Sequence, residues 1–313
     1  MTGPKKIDLN KIRTYSFKER PTKAEVDSFA KIPSSDWEVD EFLEGLPAYL
    51  KAVELKNLVN DINRAKARGR AVILMMGAHS LKVGLAPVLI ELIKRGFITH
   101  LACNGAVLIH DYEFAFFGRS SEDVAETLET GMFGMVSETP EYLNKAVNSA
   151  DSEAGLGMVI GTAFNADKPD FIEYSLVASA VKYGLSPTVH ITIGADTIHQ
   201  HPDFDAGKWG ALSGNDFRIL AESCISLNDG GVVINLGSAV NLPEVFLKAL
   251  NTARNIHGEI KNFSAANIDM IQHYRPVTNV VNRPTLSGGG RYTLTGHFEI
   301  LIPLIAWALL SEH

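Results

Sequence analysis

Residues 71–111 read AVILMMGAHSLKVGLAPVLIELIKRGFITHLACNGAVLIHD, and this stretch decides the fold. The run Ala71–Met76 is uninterrupted by polar residues, as expected of a strand buried on both faces of a parallel sheet. Gly77 opens a turn. Leu85, Val88, Leu89, Leu92 and Ile93 then recur at helical spacing and Gly96 stops the pattern, which predicts a crossover helix over Val83–Arg95. A second apolar run follows, closed by Asn104-Gly105-Ala106. The unit is βαβ, so both loops fall on one edge of the sheet. In open parallel sheets, ligands bind outside the carboxyl ends of the strands, where such loops lie.

N-terminal to this unit, residues 1–36 are polar, charged and rich in turn formers. They read as an arm laid against the body or a neighbouring subunit, or as a disordered tail. Residues 37–313 read as a single α/β domain, because no repeat or low-complexity linker interrupts them. The stretch Val39–Arg68 is patterned as helix, broken near Gly45–Pro47, and is expected to cover one face of the sheet. Beyond Asp111 a helical excursion runs to about Tyr183. The alternation of strand and helix then resumes with a strand at Thr188–Ile193, a helix at Asp216–Leu227, a strand at Gly231–Leu236 and a helix at Leu242–Arg254. Short β-like runs at Lys261–Ala265 and Val277–Val281, a glycine cluster at Gly288–Gly290 and an apolar helix at Phe298–Leu310 complete the pattern. The fold class is α/β, a Rossmann-like parallel sheet flanked by helices.

A chain of 313 residues with 46% apolar residues can bury one large core or two modest ones. Its net charge of −7 argues against nucleic acid or an anionic membrane as main partner, since both reward a basic surface. With only Cys103 and Cys224, neither a disulfide framework nor a thiolate metal site is expected, and a reducing cytoplasmic setting follows. No run of about 18 apolar residues occurs, so no membrane span is expected.

Polar residues gather at the predicted strand ends. The turn Gly77–Gly84 offers helix-start amides beside Ser80 and Lys82; it suits a phosphate or a pyrophosphate, or is an ordinary glycine turn, and it matches neither G-x-G-x-x-G nor the Walker pattern. His110-Asp111 places an imidazole beside a carboxylate, which suits acid/base work or ribose binding. The stretch from Gly194 to Asp205 is the densest polar cluster. On an extended segment His199 and His201 point to one side, and Asp203 completes a possible metal set, with substrate contact or a structural loop as alternatives. Gly237-Ser238 precedes another helix start. Ser287–Arg291 pairs a glycine hinge with a guanidinium able to hold an anion, or is a surface loop.

These pieces resemble the deoxyhypusine synthase superfamily from about Ala71 to Leu250. Asn104–Asp111 looks like the family's G-A-x-x-x-H-D turn, Ser80-Leu81 with Gly84 resembles its cofactor turn, and Ala195-Asp196 resembles its Thr-Asp-Gly turn. The resemblance implies a deoxyhypusine-synthase-like fold, NAD at the strand ends and a homo-oligomer, dimer or tetramer. It implies cofactor contacts from Ser80, Gly84, Asn104, Gly105, Asp111, Asp196, Gly237 and Ser238. The chain departs from the family at Leu242, which falls where the substrate-carrying lysine should be, with Pro243 and Glu244 in place of two histidines. A leucine cannot form the imine of that transfer, so synthase activity is not expected. His201 falls near a polyamine-contacting aspartate of the family.

The reading that remains is an NAD-dependent transferase or oxidoreductase acting on a small anionic or neutral molecule. His110 with His199 or His201 would be its acid/base groups, and Lys82 an alternative imine former. A metal-dependent hydrolase or lyase built on His199, His201 and Asp203 stands beside it, as does a non-catalytic nucleotide-binding protein. If Asp111 touches the cofactor, Asp111→Ala should weaken cofactor binding and leave the thermal midpoint within a few degrees.

Overall fold

The computed structural model describes residues 3–311. The chain forms two compact units, one up to Tyr49 and one from Leu50 onward. The first holds three single-turn 3₁₀ helices, Leu9–Lys11, Phe17–Glu19 and Val26–Ser28, and the helix α1 (Val39–Gly45). It closes on itself through Tyr49, whose hydroxyl accepts from the Glu25 amide at 2.7 Å and donates to the Glu25 carbonyl at 2.8 Å.

The second unit opens with α2 (Leu50–Ala67) and continues through β1 (Val72–Met76), α3 (His79–Lys82), α4 (Ala86–Lys94), β2 (His100–Asn104) and α5 (Gly105–Phe117). The crossover helix predicted over Val83–Arg95 is α4, and the stretch before it, read as a turn, holds the extra one-turn helix α3. Gly84, at φ +81°, breaks α3 from α4, and Pro87 lies in the opening turn of α4, where its missing N–H costs nothing. The helical excursion comprises α6 (Val124–Leu128), α7 (Glu138–Asn148), α8 (Leu156–Asp167) and α9 (Leu176–Lys182). Then come β3 (Thr188–His190), a 3₁₀ turn at Thr197–Gln200, α10 (Ala206–Ile225), β4 (Val232–Leu236), α11 (Asn241–His257) and β5 (Ser264–Asp269). The short helix α12 (Tyr274–Pro276) runs into a π-helical turn, Val277–Asn282, followed by β6 (Arg291–Thr295) and α13 (Phe298–Leu310). The stretch expected as a strand at Val277–Val281 is therefore helical, and the glycine cluster leads into a strand that the sequence reading missed.

Among the described residues six strands form one parallel sheet, in the order β3-β2-β1-β4-β5-β6. Alternation along the central strands sorts their side chains to two layers. Ile73, Met75, Val233 and Ala265 meet Leu220 and Cys224 of α10 and Leu242, Phe246 and Leu250 of α11. On the other face Leu74, Ile234 and Ile268 meet α2, α4 and α13 through Leu58, Leu89 and Ile302. This is the α/β fold expected, a deoxyhypusine-synthase-like parallel sheet between helical layers. The strand order reverses between β1 and β4, which puts a crevice at their carboxyl ends.

Two buried aspartates tie the excursion to the sheet. Asp216 of α10 accepts from the amides of Gly157 (3.0 Å) and Val189 (2.6 Å), holding the start of α8 against β3. Asp111 of α5 does the same for α9. It accepts from Ser175 Oγ (2.6 Å) and from the amides of Leu176 (2.7 Å) and Val177 (3.2 Å). No helix among the described residues is long and apolar enough to cross a membrane.

Candidate functional site

A cavity of about 540 Å³ opens at the carboxyl edge of the sheet. Its walls come from α3 (Lys82), α5 (Ala106, His110, Glu113), the loop 118–137, the start of α7 (Glu138, Thr139) and the turn after β3 (Ala195, Asp196). The strand-end loops build it: α5 starts on the residue after β2, because the Asn104 side chain accepts from the Val107 amide at 3.3 Å and caps the helix. Successive turns of α5 then carry His110 and Glu113 along the cavity.

His110 Nδ1 lies 2.6 Å from Ser120 Oγ, and Ser120 Oγ donates to Glu113 Oε2 at 2.5 Å. The other Glu113 oxygen accepts from Thr139 Oγ1 at 3.2 Å. Burial, and secondarily the Lys82 ammonium, pushes the His110 imidazole down to about 4, so it is neutral at pH 7. The loop that brings Ser120 back over α5 leaves the helix at Gly118, in the left-handed region at φ +65°. It is pinned further along at Gly134, whose amide donates to Glu122 at 2.8 Å and whose carbonyl accepts from His201 Nε2 at 2.9 Å.

Asp196 forms the opposite wall. Its side chain is 9% exposed, and burial pushes its carboxyl up to about 6. The carboxylate lies over the first residue of α5: a Cβ on Gly105 would sit 2.2 Å from Asp196 Oδ2, so any side chain at this position forces Asp196 to shift. Behind Asp196, His199 Nδ1 accepts from the amides of Gly194 (3.0 Å) and Asp196 (3.3 Å). A nitrogen that accepts twice carries no proton, so the neutral ring is protonated on Nε2, which lies 4.0 Å from Asp196 Oδ2 without a hydrogen-bond partner.

Sequence-predicted residues divide by where the fold puts them. Lys82, His110 and Asp196 line the cavity. His199 backs it, and His201 fastens its loop. His199 and His201 do not share a side, because Thr197–Gln200 is a 3₁₀ turn with three residues per turn rather than an extended segment. With Asp203 exposed and linked through its carbonyl to Asn148, the three do not converge; among the described residues no group of three His, Cys, Asp or Glu side chains is placed to hold a metal. Ser80 is buried and donates to the Gly77 carbonyl at 2.9 Å, and Gly84 marks the α3–α4 break. Asp111, expected to contact cofactor, faces the core with its carboxylate spent on α9. Arg291 is likewise used internally, on Thr285. Glu113 and Ser120 were missed as a pair; the i, i+3 spacing of His110 and Glu113 was the available signal.

Gly237 and Ser238 lie at the β1/β4 reversal. A Cβ on Gly77 would stand 2.6 Å from the Gly237 carbonyl oxygen, so the two strand-end loops meet backbone to backbone. Gly237 is at φ +65°, with the Phe298 ring where a side chain would go. Ser238 Oγ accepts from the Leu242 amide at 3.2 Å, capping α11.

A parallel sheet whose strand order reverses between β1 and β4 is a doubly wound α/β fold. Solved structures share it. AgrE, solved in a ternary complex with ornithine and NAD+, aligns with a TM-score of 0.54 at 12% identity over 82% of this chain and 32% of that one. A protein assigned as LOR/SDH from Methanococcus maripaludis aligns at 0.51, with 15% identity over 84% and 70%. A protein assigned as a deoxyhypusine synthase from Entamoeba histolytica aligns at 0.50, with 13% identity over 95% and 96%. Such identities establish the fold alone. In sequence, the chain is 36% identical over 66 residues to ornithine cyclodeaminase of Methanothermobacter thermautotrophicus, a match spanning 21% of this chain and 16% of that protein. No protein-family model matches the chain.

Proposed function

We propose that the chain is an NAD-dependent enzyme acting on a small polar molecule, with the cofactor in the β1/β4 crevice and the substrate in the cavity over β1–β3. The observation that carries this reading is the cavity itself. At about 540 Å³ it has the size of a small-molecule site, and it brings a neutral imidazole and a carboxyl pushed up by burial to the carboxyl ends of parallel strands.

The residues at the crevice fit a dinucleotide in one respect and depart in two others. Gly77 and Gly237 keep the two strand-end loops free of side chains at the crevice, as the close approach of a pyrophosphate requires, whereas the start of α11 offers few amides, because Ser238 takes that of Leu242 and Pro243 has no N–H. The acidic residue usual at the end of the second strand is absent: Asn104 stands there and caps α5. When bound, the nicotinamide would supply hydride transfer. The chain's own groups would orient the substrate between the cations Lys82 and Arg119 and the carboxylates Glu113, Glu122, Glu138 and Asp196. That balance of charge favours a molecule carrying both signs, such as an amino acid; AgrE, of the same fold, was solved with ornithine.

Deoxyhypusine synthase activity is not part of the proposal. Leu242, at the position of the family's lysine, is fully buried in the core beneath the sheet. Calorimetric titration of the full chain with NAD tests the reading. Binding that is lost in Gly237→Val, with the fold retained by circular dichroism, supports it; no binding at millimolar NAD overturns it. Assembly into a dimer or tetramer belongs to the same proposal and is checked by sedimentation.

A further inference from the structure

We infer that Glu113 and Ser120 are positioning residues that fix His110 as a proton acceptor toward the cavity. The inference rests on the cavity being the reaction site, and it follows from counting protons. A carboxylate can only accept, so Ser120 must spend its single hydroxyl proton on Glu113 Oε2. Ser120 Oγ then has only lone pairs to offer the imidazole, and the 2.6 Å contact requires His110 Nδ1 to carry the ring proton. The neutral ring has one proton, so Nε2 is left bare. His110 lines the cavity, and Nε2 has no protein partner while not being walled off from solvent.

A bare Nε2 can take the proton of a substrate O–H or N–H; an Nε2–H could only donate one. On protonation, the Nδ1–H···Ser120···Glu113 chain places a carboxylate behind the new charge. The groups facing His110 from neighbouring elements are Lys82 from α3, Arg119 and Glu122 from the loop, Glu138 from α7 and Asp196 from the turn after β3. None of them contacts Nδ1, so the tautomer is set by Ser120 and Glu113. Thr139 supports the chain from the far side by donating to Glu113 Oε1.

The test is the tautomer itself, read from nitrogen-15 and carbon-13 shifts of histidine-labelled full-length protein at neutral pH, with the His110 signals assigned through His110→Gln. The parent is expected to show Nδ1–H. Glu113→Leu leaves Ser120 no carboxylate to donate to, which frees the serine proton to turn toward the ring, so the expected result is a shift to Nε2–H. Thr139→Val is expected to keep the parent signature. An Nε2–H parent, or a folded Glu113→Leu variant with the parent's tautomer, overturns the inference; should Glu113→Leu not fold, the parent spectrum alone decides. NAD plays no part in this readout. A chain that shows the expected tautomers yet fails to bind NAD supports the relay and overturns only the cofactor reading.

Discussion

Asp111→Ala separates a site residue from a scaffold residue, and the structure reverses the outcome expected from sequence. The carboxylate takes the first two amides of α9, at Leu176 and Val177, and orients Ser175 Oγ, which takes the third at Ala178 (3.0 Å). Alanine strands two buried amides and a hydroxyl. At about 1 kcal/mol or more for each unmet buried donor, the loss is about 3 kcal/mol. For a unit of this size that lowers the thermal midpoint by roughly 6–12 °C. Burial pushes the Asp111 carboxyl up to about 6 despite those three bonds, so shedding the charge recovers part of the loss. Asp111→Asn, which keeps an acceptor oxygen, should therefore cost only about 1 kcal/mol. The sign with pH follows from the same shift: the folded carboxyl takes a proton near 6 and the unfolded one near 3.8, so the parent gains stability from this group as pH falls from about 7 toward 4. The gap between parent and alanine variant should widen over that window. Urea denaturation and calorimetry of the full chain at pH 7.5 and pH 5, as rough reference points for that window, read all three quantities. A midpoint for Asp111→Ala within about 2 °C of the parent, well short of the expected drop, would refute the claim that α9 depends on this cap.

Three further outcomes are expected. Gly105→Ala should cost about 1–2 kcal/mol in the parent through collision with Asp196, yet be neutral or stabilising by up to about 1 kcal/mol in an Asp196→Ala background, where only the better helix propensity remains; additive effects in a urea-based cycle would remove the contact. His100 and His190 share Thr188 Oγ1 at 3.0 Å each, and burial pushes them down to about 4 and about 3. Because the unfolded chain binds these protons near 6.5, each makes the parent less stable as pH falls below that value, so His190→Gln should gain on the parent by about 1.4 kcal/mol per pH unit between about 6 and 4; parallel stability curves for the two proteins would contradict this. Asp196 should titrate with a midpoint near 6 by carbon-13 NMR of its carboxyl, against the ordinary aspartate value of 3.8, and a midpoint at the ordinary value would mean the carboxylate is solvated rather than held in the cavity wall.

The central sheet was legible because β1 is an uninterrupted apolar run and β4 is apolar apart from Asn235, and both are buried along their whole length. β5 was misplaced by several residues for a physical reason. Its sequence, SAANID, contains an asparagine that a buried strand should exclude. Asn267 is nevertheless fully buried, because it accepts from Asn235 Nδ2 at 2.7 Å and donates to Gln272 Oε1 at 2.8 Å. That satisfaction depends on two other segments and leaves no local trace. β6 was missed for a different reason: RYTLT alternates polar and apolar residues as a strand does, but it is only five residues long and follows directly on three glycines that read as a loop.

At the candidate site the limit was angular. His110 and Asp111 were read as one unit because they are adjacent, but consecutive residues on a helix project about 100° apart, so both cannot face the same ligand. On α5 the histidine turns to the cavity and the aspartate to the buried start of α9. The carboxylate that belongs with His110 is Glu113, three residues on and on the same face, joined to it through a serine that returns only because the helix ends at Gly118. The sequence motif G-A-x-x-x-H-D thus serves two ends in this chain. Its histidine presents the cavity with an imidazole, and its aspartate secures the helix that holds the neighbouring wall, so a substitution at the second can impair the site without touching any ligand.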